Sequence, residues 1–393
     1  MVGRVLARSL VLASAVLSVG ARVWGDEPPT ATAEVREPAE RRLTGKDHEN
    51  HRFVSQDATL SLGPVNYMIR YNSCVDDAHG ENAAFPMEGG YIGMPGPSSA
   101  NWYHSGFLTL SLNGKNLGSV RPSWMGVAES GTRAAIDLVW NHPVAQVRLR
   151  FMGLPGDRKL LAEFLLEPKE EIKAISIDAR CYPSYFTSWN KRVGARRIQT
   201  NSLRVKEGEN KQLEPKDAAW LVYYDEVFDV AKGEGEGPCA MQLDPDQVAS
   251  VGVVCGDYSV ETRCRIKPET RKIRMAFWDF SKQTNAMALA EVARSSGKTS
   301  SQLRTLDFTP LRLAGFDPVG VEKELTEALK SDSVRKMVGA RAEEMLRGLR
   351  AIKGTMPSAT RNLPIESETK LLQWCDKYEP FRWELKLAQL LDF

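Results

Sequence analysis

The chain has 393 residues, 42% hydrophobic and 26% charged, so it can bury a sizeable core and is not globally disordered. A formal net charge of +2 excludes a strongly basic nucleic-acid binder. Six cysteines in this length exclude a disulfide-dense mini-scaffold, and beyond the N-terminus no apolar run is long enough to span a bilayer.

The N-terminus predicts export. Met1 to Gly25 carries Arg4, Arg8 and Arg22 and no acidic residue. Leu10 to Val19 is a short apolar run, and Val23 and Gly25 are the small residues a signal peptidase requires. Cleavage after Gly25 would remove three basic residues and turn the net charge from +2 to −1. No cysteine precedes Cys74, so a lipid anchor is not expected. Residues 26–52 hold Pro28, Pro29 and Pro38, many charges and no apolar period, which predicts a disordered tether.

From Phe53 the apolar period is two. Asn66 to Tyr71, Phe107 to Leu112 and Ala145 to Phe151 alternate cleanly. Asn113-Gly114 is a strong hairpin signal, and Gly256-Asp257 sits where another hairpin would turn. Lys159 to Glu167, Ile172 to Ala179, Ala219 to Tyr224, Val248 to Cys255, Tyr258 to Ile266 and Arg271 to Phe280 continue the series. The imperfect alternation of Ile172, Ala174, Ile175 and Ile177 predicts a bulge. About a dozen strands separated by short turns predict a large antiparallel β-sandwich over residues 53–285. No strand is followed by a long helical crossover, which disfavours a doubly wound parallel sheet.

Residues 286–393 predict a helical C-terminal region. Asn285 to Arg294 reads as a short helix, followed by an irregular stretch from Gly297 to Pro310. Ser331-Asp332-Ser333 offers N-cap oxygens to a helix lined by Val334, Val338, Ala342, Met345, Leu349 and Ile352, with Gly354 at its end. Leu371 to Cys375 suggests another helix, and Pro380 fits the first turn of a last one. The stripe Leu385, Ala388 and Leu391 should dock on something apolar.

Several stretches combine polar and aromatic groups. Asp76, Asp77, His79 and Glu81 form the densest polar loop, able to supply acid/base groups or to hold a divalent ion. Trp102 and His104 follow a Gly/Pro/Ser-rich loop, where a ring and an imidazole could meet a sugar. Tyr185 and Trp189 lie beside Lys191, Arg192, Arg196 and Arg197, a composition suited to an acidic saccharide. In Trp220 to Asp229, period two places Trp220, Val222, Tyr224 and Glu226 on one face and Leu221, Tyr223 and Asp225 on the other. A glutamate among aromatics is a candidate general acid or base. The bland alternatives are a solvated loop, a core Trp, edge packing and an acidic strand end.

Complete motifs are absent. Gly297-Lys298-Thr299 lacks the first glycine of a phosphate loop, because Val292 stands there. There is no G-x-S-x-G, H-E-x-x-H or CxxC, so no cofactor or metal is expected. After export the cysteines could form up to three disulfides or remain buried thiols.

The runs Phe151-Met152-Gly153-Leu154-Pro155-Gly156-Asp157, Glu167-Pro168-Lys169 and Cys181-Tyr182-Pro183-Ser184, with Tyr223 to Asp229, resemble a group of uncharacterised exported bacterial β-sandwich proteins. Strand number and turn-rich loops are distantly similar to galactose-mutarotase-like supersandwich domains of sugar epimerases and polysaccharide-lyase tails. That likeness implies a late-strand glutamate as base and a histidine as acid, roles that Glu226 with His104 or His79 would fill. The expected function is carbohydrate recognition by an exported sandwich, with room for acid/base chemistry on the saccharide in which Glu226 would take a proton and His104 return one. Asp77, His79, Trp102, Tyr185, Trp189, Arg192 and Tyr224 would bind the polysaccharide. The alternative is a non-catalytic envelope protein that meets a protein partner through its C-terminal helices. A metal-dependent hydrolase using Asp76, Asp77 and His79 ranks last. Neither nucleic acid nor a membrane span after leader removal is expected.

Overall fold

The computed structural model describes residues 30–42, 51–76, 90–99, 101–104, 106–183, 192–354, 356 and 362–391. The first strands are β1 (Thr32–Val35), β2 (Ala39–Arg42), β3 (His51–Ser61), β4 (Asn66–Asp76), β5 (Tyr91–Gly96), β6 (Leu108–Leu112) and β7 (Lys115–Asn116). Then come β8 (Trp124–Glu129), β9 (Ala134–Asn141), β10 (Ala145–Gly153), β11 (Leu160–Pro168), β12 (Ile175–Cys181), β13 (Arg196–Thr200) and β14 (Arg204–Lys206). The series ends with β15 (Asn210–Leu213), β16 (Trp220–Asp225), β17 (Cys239–Leu243), β18 (Val248–Cys255), β19 (Val260–Ile266) and β20 (Lys272–Asp279).

These strands build two antiparallel sheets, as the alternating pattern predicts. The larger runs β1-β3-β4-β5-β6-β12-β19-β18-β15, with β2 also on β3 and β7 on β6. The smaller runs β14-β13-β16-β17-β20-β11-β10-β9-β8. The Asn113-Gly114 hairpin forms, with Leu112 paired to Lys115 and both turn residues at positive φ. The predicted bulge does not form: β12 begins at Ile175 and pairs in continuous register through Cys181, and a register shift falls instead between Val248 and Ser250.

Apolar side chains from both inner faces meet between the sheets. Trp102, Phe107, Tyr223 and Phe277 pack edge-on there, and the Tyr223 and Thr262 hydroxyls share a 2.8 Å hydrogen bond from one sheet to the other.

The predicted tether is partly ordered. Thr32 to Val35 pairs with β3 from Ser61 to Ala58, and Ala39 to Arg42 pairs with β3 from Ser55 to Arg52. Ala31 and Gly131 exchange backbone hydrogen bonds of 2.8 Å each. Ala31 is buried in the inter-sheet core and Ala33 and Val35 pack against it, while the edge of β3 satisfies the backbone of both short strands.

Five helices follow among the described residues: α1 (Asn285–Thr305), α2 (Leu311–Ala314), α3 (Pro318–Ala328), α4 (Asp332–Lys353) and α5 (Ile365–Leu390). Helix α1 runs through the stretch predicted to be irregular. Its buried Ala288, Val292, Thr299 and Leu303 share a face, and Gln242 donates to the Ser296 carbonyl at 2.9 Å and to the Ser300 hydroxyl at 2.8 Å. Tertiary packing here outweighs weak propensity. Ser331 caps α4 by accepting from the Val334 N–H, as predicted. Pro380 lies inside α5 instead of starting a helix, and buried Phe381 and Leu385 hold the helix in place beyond it. Among the described residues no helix is long and apolar enough to cross a membrane.

The helices cover the outer face of the smaller sheet. Ala135, Met152, Leu161, Val222, Tyr224 and Trp278 point outward from that sheet and join the helices in a second core. Charged residues from the same face are buried with them. Arg150, 0% exposed, reaches Asp137 at 2.6 and 2.5 Å, Glu368 of α5 at 2.5 Å and the Phe308 carbonyl at 2.6 Å. Arg148 bridges Glu368 and Glu163, each at 2.8 Å, and Arg274 meets Glu163 at 2.8 Å. Arg133 binds Glu129 and the carbonyls of Asp307 and Thr309 at 2.7 Å each. Burial alone would lower the Arg150 pKa, but Asp137 and Glu368 outweigh it and raise it. Breaking such a paired network is costly because it strands a charge.

Candidate functional site

Among the described residues, the outer face of the larger sheet has no such cover. Strand parity sends Leu110, Ile177, Cys264 and Val253 inward and leaves polar residues outside. These form rows across five strands. The first row is Ser111, Ser176, Arg265 and Ser250. The second is Thr109, Asp178, Arg263, Gly252 and Gln212. The third is Arg180, Glu261, Val254 and Asn210.

A hollow of 590 Å³ lies over the second and third rows, and one of 630 Å³ adjoins it over the first. Asp178, Arg263 and Arg265 line both, so the two hollows form one trough. Gly252 makes part of its floor. A Cβ added there would meet the Gln212 amide oxygen at 3.2 Å and the Arg263 carbonyl at 3.8 Å, so side-chain volume at this position projects into the trough. A glycine inside a strand brings an approaching ligand close to backbone.

Arg263 grips Asp178 with two nitrogens, at 2.6 and 3.2 Å, and Arg180 meets Glu261 at 3.2 Å. Three tyrosines adjoin the third row. The Arg180 guanidinium lies over the Tyr103 ring at 5.0 Å. Tyr103 and Tyr182 rings are 4.7 Å apart, and Tyr182 and Tyr258 rings 5.1 Å. Burial and hydrogen bonds with Tyr258 and Tyr103 push the Tyr182 pKa up. Tyr258 is 43% exposed, leaving a ring available to a ligand.

A separate hollow of 490 Å³ lies along β2 to β5, lined by Ser55, Asp57, Arg70, Asn72, Tyr91 and His104 among others. Arg70 pairs with Asp57 at 2.6 and 2.7 Å. The His104 pKa is lowered, chiefly by loss of water and also by the Arg70 charge, against a hydrogen bond with the Ser99 backbone.

The structure separates the residues picked from the sequence. Trp102 is 0% exposed and donates to the Trp278 carbonyl at 2.9 Å; it fills the inter-sheet core and cannot be a ligand platform. Tyr224 is likewise no ligand contact: it is buried under the helices, and burial raises its pKa. Glu226 is not a glutamate desolvated among aromatics. It is a part-exposed carboxylate held by Arg197 at 2.6 Å and Arg204 at 3.4 Å, beyond the end of β16. His104 lines the smaller hollow, whose lining does not include Glu226. Arg192 pairs with Glu234 at 2.5 Å and covers the Phe228 ring at 4.6 Å. Asp77, His79, Tyr185 and Trp189 lie outside the described residues. Cys181, Cys239, Cys255, Cys264 and Cys375 are buried free thiols.

Sequence reasoning passed over the trough residues because each sits singly in an ordinary strand. The usable signal was the polar half of each alternating strand, together with a glycine inside β18. Those halves become a site only when strands distant in sequence are aligned side by side.

The sequence matches no protein-family model and no curated protein sequence. Similar solved structures include a candidate aldose 1-epimerase from Klebsiella pneumoniae, at 8% identity and a TM-score of 0.34, covering 71% of this chain and 97% of that one. They also include an α-N-acetylgalactosaminidase from Bifidobacterium bifidum, at 10% identity and a TM-score of 0.38, covering 66% and 40%. A third is a GH36 α-galactosidase from Geobacillus stearothermophilus, at 10% identity and a TM-score of 0.37, covering 69% and 48%. The chain thus spans less than half the length of either glycosidase.

Proposed function

We propose that this protein is an exported saccharide-binding protein whose ligand lies across the open trough of the larger sheet. The observation that carries this reading is the uncovered set of rows itself. Guanidinium–carboxylate pairs and hydroxyls stand at strand spacing over a floor opened by Gly252. A sugar presents hydroxyls that both donate and accept, and a paired Arg263 and Asp178 supply the matching donors and acceptors. An open polar trough suits an extended, hydrated ligand better than an apolar one, which prefers an enclosed pocket. Tyr258 offers a ring for the apolar face of a sugar. The reading is recognition: Glu226 is held by Arg197 and Arg204, and His104 lines the separate hollow along β2 to β5. Export rests on the leader-like run from Met1 to Gly25.

The test is retention of the full chain on a panel of neutral and acidic polysaccharides, beside the double variant Asp178→Ala, Arg263→Ala. Saturable binding weakened at least roughly tenfold in the variant supports the reading, the loss expected when charge-assisted hydrogen bonds are removed. Absence of binding to every glycan removes it.

A second reading is a non-catalytic envelope protein that docks a partner. Its support is the end of α5, where Trp383, Leu387 and Leu390 are exposed at 73%, 58% and 70%. A mass by light scattering that drops on Trp383→Ser with Leu387→Ser would favour it.

A further inference from the structure

Arginines occupy one position in each row of the trough, and two of the three are neutralised. Arg180 faces Glu261, and Arg263 is held by Asp178 through two contacts. Arg265 differs. It forms no ion pair with a described residue, and its side chain is exposed. Its cross-strand neighbours are Ser176 on β12 and Ser250 on β18, and Ser111 extends the row beyond Ser176. The residue lines both hollows, so its guanidinium stands where the two halves of the trough join. An uncompensated cation flanked by hydroxyls is equipped for an anion: a guanidinium donates two parallel hydrogen bonds to a carboxylate or sulfate, and serine hydroxyls can donate to its remaining lone pairs.

We propose that the ligand of the trough is an acidic saccharide whose carboxylate or sulfate group seats on Arg265. This rests on the saccharide reading above and adds the ligand class. Lys211 and Lys173, which also line the trough, pair with Glu209 and Glu171, so among the described residues Arg265 is its one free cation, which suits a single anionic group per binding site. A phosphate backbone would call for a row of free cations, and the neighbouring arginines are already engaged. The paired Arg263 and Asp178 then address the neutral hydroxyls of the same or the next sugar.

The experiment measures binding of the full chain to polygalacturonate, to the same polymer after reduction of its carboxyl groups, and to a sulfated galactan. Each is titrated against wild type, Arg265→Gln and Arg265→Lys. The expected result is binding to a charged polymer, a loss of roughly tenfold or more on its reduced counterpart or in Arg265→Gln, and partial recovery in Arg265→Lys. The two charged polymers distinguish carboxylate from sulfate as the bound group. Equal binding to charged and reduced polymers, unchanged in Arg265→Gln, overturns this inference and leaves the saccharide reading standing. Binding to none of the three polymers, nor to a neutral glucan, overturns both. Arg265 is an exposed strand residue, so its substitution should leave the melting temperature near wild type, and that is measured alongside.

Discussion

Strands β10 and β19 carry the same written pattern and meet opposite fates. In β10, Val147 and Leu149 alternate with Arg148 and Arg150; in β19, Thr262 and Cys264 alternate with Arg263 and Arg265. Both strands turn their arginines away from the inter-sheet core. On β10 those arginines are buried, at 4% and 0% exposure, because α5 lies over them and brings Glu368. On β19 they face solvent. The difference is made by a residue more than two hundred positions away. Alternation therefore identifies a face without saying whether it is covered. The covered face joins the sandwich to the helices, and the other is left open by the described residues.

The comparison breaks most visibly at the buried network. Glu368→Ala leaves Arg150 with Asp137 and Arg148 with a Glu163 that it shares with Arg274, so one buried positive charge goes uncompensated; the change should cost about 3–5 kcal/mol, read from the denaturant midpoint. Burial alone would raise the Glu368 pKa, but Arg150 and Arg148 outweigh it and hold it below the usual carboxylate range. A depressed carboxylate stabilises the fold above its unfolded-state pKa and loses that contribution as pH falls through the folded value. Wild type should thus lose stability on acidification below the ordinary glutamate range, and Glu368→Gln should flatten that part of the curve. A midpoint change under about 1 kcal/mol in Glu368→Ala would show that the network does not hold the helices.

Trp102→Ala tests the boundary between core and site. It empties a fully buried ring from the inter-sheet core and should cost about 3–5 kcal/mol. An unchanged melting temperature with lost glycan binding would return Trp102 to the ligand.

Asp279 sharpens the picture at the end of the sandwich. Its carboxylate is 3% exposed and accepts from Asn101 at 2.8 Å and from the Ser281 N–H at 2.9 Å. Burial pushes its pKa up to about 7, against those hydrogen bonds. The unfolded chain ionises first, so this group makes wild type less stable as pH rises from about 4 to 7, and the penalty is then constant. Asp279→Asn should remove that slope and gain roughly 2–4 kcal/mol at pH 8 relative to pH 4. An unaltered slope between these pH values would contradict the assignment.

The smallest effect belongs to the open face. Asp178→Asn breaks a pair whose Arg263 side chain is 67% exposed, and should cost under about 1 kcal/mol. A cost comparable to that of Glu368→Ala would erase the contrast between the faces.

Much of the architecture was legible. Period two, the Asn113-Gly114 turn and the Ser331 cap are local signals with local causes, and each stands where the pattern puts it. The order of residues 32–42, the extension of α1 through Gly297 and the passage of α5 through Pro380 were not legible, since each depends on a surface supplied by another segment. The site was least legible. Aromatic residues in sequence draw attention, yet Trp102 and Tyr224 are aromatic because they are buried. The trough is built of hydroxyl, guanidinium, carboxylate and amide side chains, with Gly252 in its floor, from five strands joined only by register.

The most direct test of the central claim is a calorimetric titration of Gly252→Leu with the polysaccharide that wild type retains best. Leucine here projects into the trough on an exposed strand face, beside the movable Gln212 side chain. The account predicts binding abolished, with a melting temperature close to wild type. Wild-type affinity in a trough filled by leucine would contradict it and move the ligand to another surface of the molecule.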